Sequence, residues 1–210
     1  MIIILISTNC SSSTNQLTRS QNTILWIDRH FRRYQNSEVL SYLLSVTKRL
    51  ESAAQMKTLG IEPDRLNTSW KIHIFESSIP NAFSVGTGNL IITKSLIQAC
   101  ENEAELASIL AHEMSHYYLA HTEQNSSYSI EREIEADTLG LSLLELSDNQ
   151  LQASISALSI SYRQESENIS AEKQENLNLR RENLANLIKR KNGWGFANDR
   201  EFNRIKKSLR

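Results

Sequence analysis

The sequence predicts an α+β chain, predominantly helical, with a small β-sheet beside one long helix. Three observations carry this. Two prolines and six glycines in 210 residues are too few for a turn-rich all-β fold. Apolar residues recur at helical spacing along most of the chain. Only the stretch between residues 70 and 93 shows β-branched and aromatic runs bounded by turn formers.

A first helix is expected over residues 37–59, where Val39, Leu40, Leu43, Leu44, Val46, Leu50, Ala53, Ala54 and Met56 share a face and Gly60 suits the stop. WKIHIFE, residues 70–76, reads as a strand. NAFSVGTGNLIIT, residues 81–93, places two short apolar runs around Gly86-Thr87-Gly88-Asn89 and reads as a β-hairpin. Thr93 suits the cap of a short helix over 94–99. Asn102 with Glu105 is close to a capping box for the next, long helix. A polar break at 123–129 ends that helix, and IEREIEADTLGLSLLEL, residues 130–146, follows as another. The remainder reads as helical and increasingly charged, and no repeat is visible.

With 210 residues there is room for one domain with a real core. It is expected over 23–210, with a motif-bearing centre at 70–146 and a charged helical part at 147–210. The net charge of -1, from 23 basic and 24 acidic side chains, gives no electrostatic reason to expect nucleic acid as a partner. Eight Lys or Arg from Lys189 onward read as a solvated helix face, with contact to an anionic surface as the alternative. Cys100 reads as a small buried apolar residue. At the other end, MIIILISTNC followed by SSSTNQLTRSQN is an apolar run, one Cys and a polar tether. The run is shorter than the ~20 residues a membrane span needs. Residues 1–22 therefore have two readings: the end of a bacterial lipoprotein signal with Cys10 as the lipidated residue, or a disordered N-terminus.

HEMSH, residues 112–116, carries the chemistry. At about 100° per residue, His112 and His116 lie about 40° apart on one helix face, so two imidazoles can share one ion. Glu113 is then beside the ion, within reach of a water that the metal has acidified. A catalytic zinc needs a third protein ligand and an open fourth position. EREIEAD supplies one: Glu133 and Asp137 are four apart, so Glu133 can bind the metal while Asp137, a turn behind, accepts a hydrogen bond from a ligating histidine. His121 falls about 180° around the helix from His112 and is expected to pack or to support rather than to ligate. His30 and His73 are expected to be solvated or hydrogen-bonded.

Three ordered stretches, IPNAFSVGTGNLIITKSLI, ENEAELASILAHEMSHYYLAH and EREIEADTLGL, resemble the HtpX/Oma-like and CAAX-prenyl-endopeptidase group of zinc metallopeptidases. The resemblance covers roughly residues 70–146. It implies a gluzincin-like domain with one Zn2+ per chain, with His112, His116 and Glu133 as ligands, Glu113 as general base and Asp137 behind the ligands. It also implies that the strand containing Asn81, Ala82 and Phe83 borders the cleft, where an extended substrate can add as a further strand. Relatives carry a His-Pro turn further on, whereas this chain has no histidine after His121 and no proline after Pro80. The group that stabilises the oxyanion is thereby left open among Arg180, Arg181, Tyr128 and Tyr162. Because no stretch is long and apolar enough to be a transmembrane helix, the chain looks most similar to periplasmic or lipoprotein members. A bacterial cell-envelope location is the corresponding expectation.

The expected function is zinc-dependent hydrolysis of peptide bonds in proteins, with misfolded or unassembled envelope proteins as the substrate class the resemblance suggests. A chaperone that holds extended chains in the same cleft without cutting them is the alternative. Glu113 argues against it, since a pure binder needs no base. A structural zinc protein would favour a closed four-ligand site with Cys, and neither Cys is near the motif.

Overall fold

The computed structural model describes residues 16–56, 59–122, 128–162, 170–191, 195–196 and 198–209. Three strands form one sheet in the order β1 (Lys71–Phe75), β3 (Asn89–Thr93), β2 (Ala82–Ser84). The hairpin is as expected: β2 runs antiparallel to β3, with Ala82 opposite Ile92 and Ser84 opposite Leu90. β1 joins the other side of β3 in parallel, from Lys71 opposite Asn89 to Phe75 opposite Thr93. The turn between β2 and β3 passes through three left-handed residues, Gly86, Thr87 and Gly88. Gly88 admits no side chain, because a Cβ there would stand 2.3 Å from Thr68 Cγ2 and 2.9 Å from the Ser69 carbonyl oxygen.

Alternation along β3 divides the core. Leu90 and Ile92 join Ile72 and Ile74 in the main cluster, and Ile91 joins Phe75 on the other face. That second face is covered by α1 (Gln16–His30) through Ile27, with Ile24 and Trp26 at its margin. The polar tether expected to run to residue 22 is thus helical from Gln16. The amphipathic segment around Ile24 and Ile27 has a sheet face to bury. Ser20, one turn earlier, is itself buried and accepts hydrogen bonds from Thr87 and Asn89. Residues 1–15, Cys10 included, lie outside the described residues.

On the main face sits α5 (Glu103–Tyr118), buried along most of its length. Asn102 caps it by accepting from the Glu105 amide, and Glu105 accepts in turn from the Glu101 amide. Its first-turn Glu103 is 3% exposed and accepts from Tyr42 (2.7 Å) and Arg49 (2.6 Å), where the positive end of the helix dipole also favours a carboxylate. Both donors come from α2 (Ser37–Ala54). The expected first helix therefore starts as predicted and ends earlier, at the Gln55 cap.

α6 (Ile130–Leu146) crosses α5 closely. Gly140 is the reason: a Cβ there would be 3.2 Å from the His112 amide nitrogen. The short α3 (Pro63–Leu66) and α4 (Lys94–Ala99) connect these parts, and Thr93 caps α4 through the Leu96 amide. α7 (Ala153–Tyr162) and α8 (Ala171–Lys189) close the side of α5 and α6. α9 (Asp199–Ser208) buries Phe202 and Ile205 and contacts α2, with an ion pair between Arg204 and Glu38. The basic C-terminal stretch thus contains, from Asp199 to Ser208, a helix with one buried face.

Candidate metal centre

α5 and α6 are parts of the chain with helical spacing, so the two motifs project from facing sides of one helix crossing. His112 Nε2 and His116 Nε2 are 3.1 Å apart. Glu133 reaches both, with Oε2 3.5 Å from His112 Nε2 and Oε1 3.6 Å from His116 Nε2. One donor atom from each of the three residues lies within 4.8 Å of the others. Two imidazole nitrogens and one carboxylate converging in a buried cleft suit a borderline cation such as zinc. His112 Nδ1 stands 2.9 Å from Asp137 Oδ1, although it lies off the line of a well-formed hydrogen bond.

Glu113 points past the histidines to the sheet, where its Oε2 accepts from the Ser84 amide at 3.1 Å. The Ser84 N–H is therefore directed away from β3, along the outer edge of β2. Asn81 and Ala82 line the same cleft as His112, Glu113 and Glu133. Phe83 does not, since it packs on the opposite face of the sheet with Ile27, Phe75 and Ile91.

Sequence reasoning missed how Arg180 is used. This α8 residue, 5% exposed, donates from Nε and Nη2 to the two oxygens of Asp137 at 2.7 and 2.8 Å. Its Nη1 donates to Glu133 Oε2 at 2.7 Å. The guanidinium fork matches two carboxylates at once, which an ammonium cannot do. Of the other groups considered for the oxyanion, Arg181 donates to Ser159, Tyr128 is 39% exposed, and the Tyr162 side chain is outside the described residues.

Burial and charge set the protonation of the cluster. Burial pushes the Glu113 carboxyl up to about 7, and the neighbouring Glu133 charge acts in the same direction. Burial pushes His116 down to about 3, helped by His112. Burial also works against ionising Glu133 and against protonating His112. It is outweighed in both: His112 and Arg180 hold Glu133 at about 2, and Asp137 and Glu133 raise His112 to about 10. Metal ligation requires neutral imidazoles, so an ion taken up here displaces the His112 proton.

Residues 44–130 match the family model of peptidase family M48. Over this segment the chain is similar to M48 peptidases of the Oma/HtpX-like kind. The M48 domain has a gluzincin-like fold, in keeping with the small sheet beside the HEMSH helix. Two similar proteins are mitochondrial metalloendopeptidases OMA1. That of Schizosaccharomyces pombe is 26% identical over 88 residues, 42% of this chain and 23% of that protein. That of Saccharomyces cerevisiae is 37% identical over 60 residues, 28% of this chain and 17% of that protein. The chain matches less than a quarter of the length of these relatives. The family match ends before Glu133, Asp137 and Arg180, so it is the fold that joins these three to HEMSH.

These relatives overturn the expected bacterial cell-envelope location, since both are mitochondrial proteins of yeasts. An apolar run with a cysteine and a polar tether is a short and degenerate pattern. Nothing in the comparisons supports a lipid on Cys10. No described helix is long and apolar enough to cross a membrane.

Proposed function

We propose that this chain is a zinc-dependent metalloendopeptidase that hydrolyses peptide bonds in extended segments of misfolded or unassembled proteins. One observation carries the reading: the donor atoms of His112, His116 and Glu133 converge within 4.8 Å, and the Glu113 carboxylate lies between them and the β2 edge. His112, His116 and Glu133 would hold the zinc, which when bound would supply an acidified water and polarise the scissile carbonyl. Glu113 takes the proton from the attacking water and passes it to the leaving amine. Its residence in a buried cleft favours that role, because burial raises its affinity for the proton. Arg180 and Asp137 hold Glu133 and His112 in place.

Among the described residues β2 has a strand neighbour on one side only. An extended substrate is taken to add along the outer edge of the stretch Asn81, Ala82 and Phe83, where Ala82 turns its backbone groups outward while those of Asn81 face Thr93 of β3, through hydrogen bonds that depend weakly on side-chain identity. The Ser84 amide faces the same edge, so it is the group Glu113 shares with an incoming chain.

The test is Glu113→Gln beside wild type, with zinc content and cleavage of an unfolded protein measured for both. The amide keeps the shape of the side chain but accepts no proton at neutral pH. Zinc should be retained and cleavage should fall by ~10²- to 10⁴-fold. Equal cleavage with zinc bound refutes the role of Glu113, and binding of unfolded chains without cleavage by either protein replaces the peptidase reading with a chaperone.

A further inference from the structure

α5 ends just after the second histidine of its motif, and the manner of its ending creates a contact that helical spacing alone does not give. Ala120 takes a left-handed conformation (φ 62°). The His121 amide then donates to the His116 carbonyl at 2.9 Å and the Ala120 amide to the Tyr117 carbonyl at 3.1 Å. This pair of bonds is a Schellman motif. The chain folds back on its own last turn, and His121, which a continued helix would carry to the far side, returns to His116.

The side chains meet through like atoms. His116 Nδ1 and His121 Nδ1 are 3.0 Å apart, and His121 Nε2 is 3.1 Å from Glu135 Oε2 on α6. The His121 side chain is 8% exposed, while that of Glu135 is 60% exposed. One distribution of protons satisfies every contact. A carboxylate only accepts, so His121 carries its proton on Nε2 and donates to Glu135. His121 Nδ1 is then an acceptor, and the hydrogen between the rings belongs to His116 Nδ1. That leaves His116 Nε2 with its lone pair facing His112 Nε2 and Glu133, where the donor atoms converge. The opposite assignment would put two lone pairs against each other between the rings, or two protons.

We propose that His121 is a positioning residue for His116. It accepts the His116 Nδ1 proton, is itself held by Glu135, and so fixes both the tautomer and the tilt of the ring that ligates through Nε2. The inference rests on the reading of His112, His116 and Glu133 as a metal site. Carboxylates and backbone carbonyls ordinarily fill this place behind a ligating histidine, and their loss costs ~10- to 100-fold in metal affinity. Here a second imidazole fills it and relays the role to a carboxylate one helix away.

The experiment uses the full chain. Zinc affinity is measured by chelator competition for wild type, His121→Phe, His121→Asn, Glu135→Ala and His116→Ala, and the His116 tautomer is read from long-range 1H–15N correlation spectra of the metal-free protein. Phenylalanine keeps a ring but no acceptor, and asparagine returns an acceptor oxygen near the place of Nδ1. His121→Phe should bind zinc ~10- to 100-fold more weakly, and His121→Asn should recover most of that loss. The wild-type spectrum should show the proton on His116 Nδ1, with mixed tautomers in His121→Phe. A wild-type proton on His116 Nε2 overturns the inference, as does zinc affinity in His121→Phe equal to wild type. If wild type binds no zinc, or His116→Ala binds it undiminished, the metal site fails and the inference falls with it. If zinc depends on His116 but not on His121, only the inference fails. Should His121→Phe not fold, Glu135→Ala at the surface and the wild-type tautomer decide. A few-fold loss with that tautomer supports the inference, and no loss or the other tautomer refutes it.

Discussion

Removing the Arg180 side chain should destabilise the metal-free protein more than any other single truncation at this site. Arg180→Ala takes away three charge-assisted hydrogen bonds and leaves Glu133 (4% exposed) and Asp137 (6% exposed) with His112 as their remaining close positive charge. Breaking a buried pair by deleting one partner costs ~3–5 kcal/mol, because the other charge stays buried. Since His112 compensates in part, about 3 kcal/mol is the reasoned figure. For a chain of this length one kcal/mol corresponds to roughly 2–4 °C, so the melting temperature should fall by about 6–12 °C. Arg180→Lys keeps a charge but cannot bridge two carboxylates, so it should lose about half as much. The assay is thermal unfolding with a chelator and then with zinc in excess. Zinc returns positive charge to Glu133, so it should raise the variant's melting temperature by more than it raises that of wild type. A metal-free Arg180→Ala protein that melts within about 2 °C of wild type would refute the claim that this fork holds the two carboxylates.

Three further outcomes are expected. His116→Ala and Glu133→Ala should each lose most of a one-per-chain zinc content, measured by elemental analysis, while retaining helical circular dichroism. Ala120→Gly should stabilise the protein by about 0.5–1 kcal/mol, since a left-handed alanine costs ~1–2 kcal/mol and the added freedom of glycine in the unfolded chain returns ~0.4–1; denaturant unfolding measures it. Gly140→Ala gains ~1 kcal/mol of helix propensity but sets a methyl against the backbone of His112, an overpacking cost of ~1–3 kcal/mol. It should lower both the melting temperature and the zinc affinity, and a variant equal to wild type in both would show that α5 and α6 separate there freely.

The parts of the site that lie within single helices were legible, because helical spacing turns sequence distance directly into direction. HEMSH and EREIEAD are such parts, and so are the caps at Thr93 and Asn102. The pairing of β1 was not, since two strands 18 residues apart say nothing of which neighbour is parallel. α1 was missed because its polar first turns read as a tether, and only the sheet face it covers shows otherwise. His121 was set on the wrong side by continuing a helix that stops at Tyr118. Arg180 had a signal that could have been used. Leu177, Arg180 and Leu184 are the buried residues of α8, spaced three and four apart, so the arginine stands in the apolar stripe. A charge in that position needs a partner, and the acidic pair of α6, assigned only to the metal and a histidine, still had carboxylate oxygens to offer one.

The guanidinium of Arg180 is 43 residues along the chain from the carboxylate it grips, and the edge amide that Glu113 takes is 29 residues upstream of it. The centre is consequently not modular. A fragment ending with the recognisable family segment at residue 130 would hold HEMSH and the sheet but none of the acidic groups on α6. One ending after α6 would hold all three metal donors with two buried anions and no fork to balance them. Trimming this protein to its motifs should therefore yield insoluble or metal-poor material.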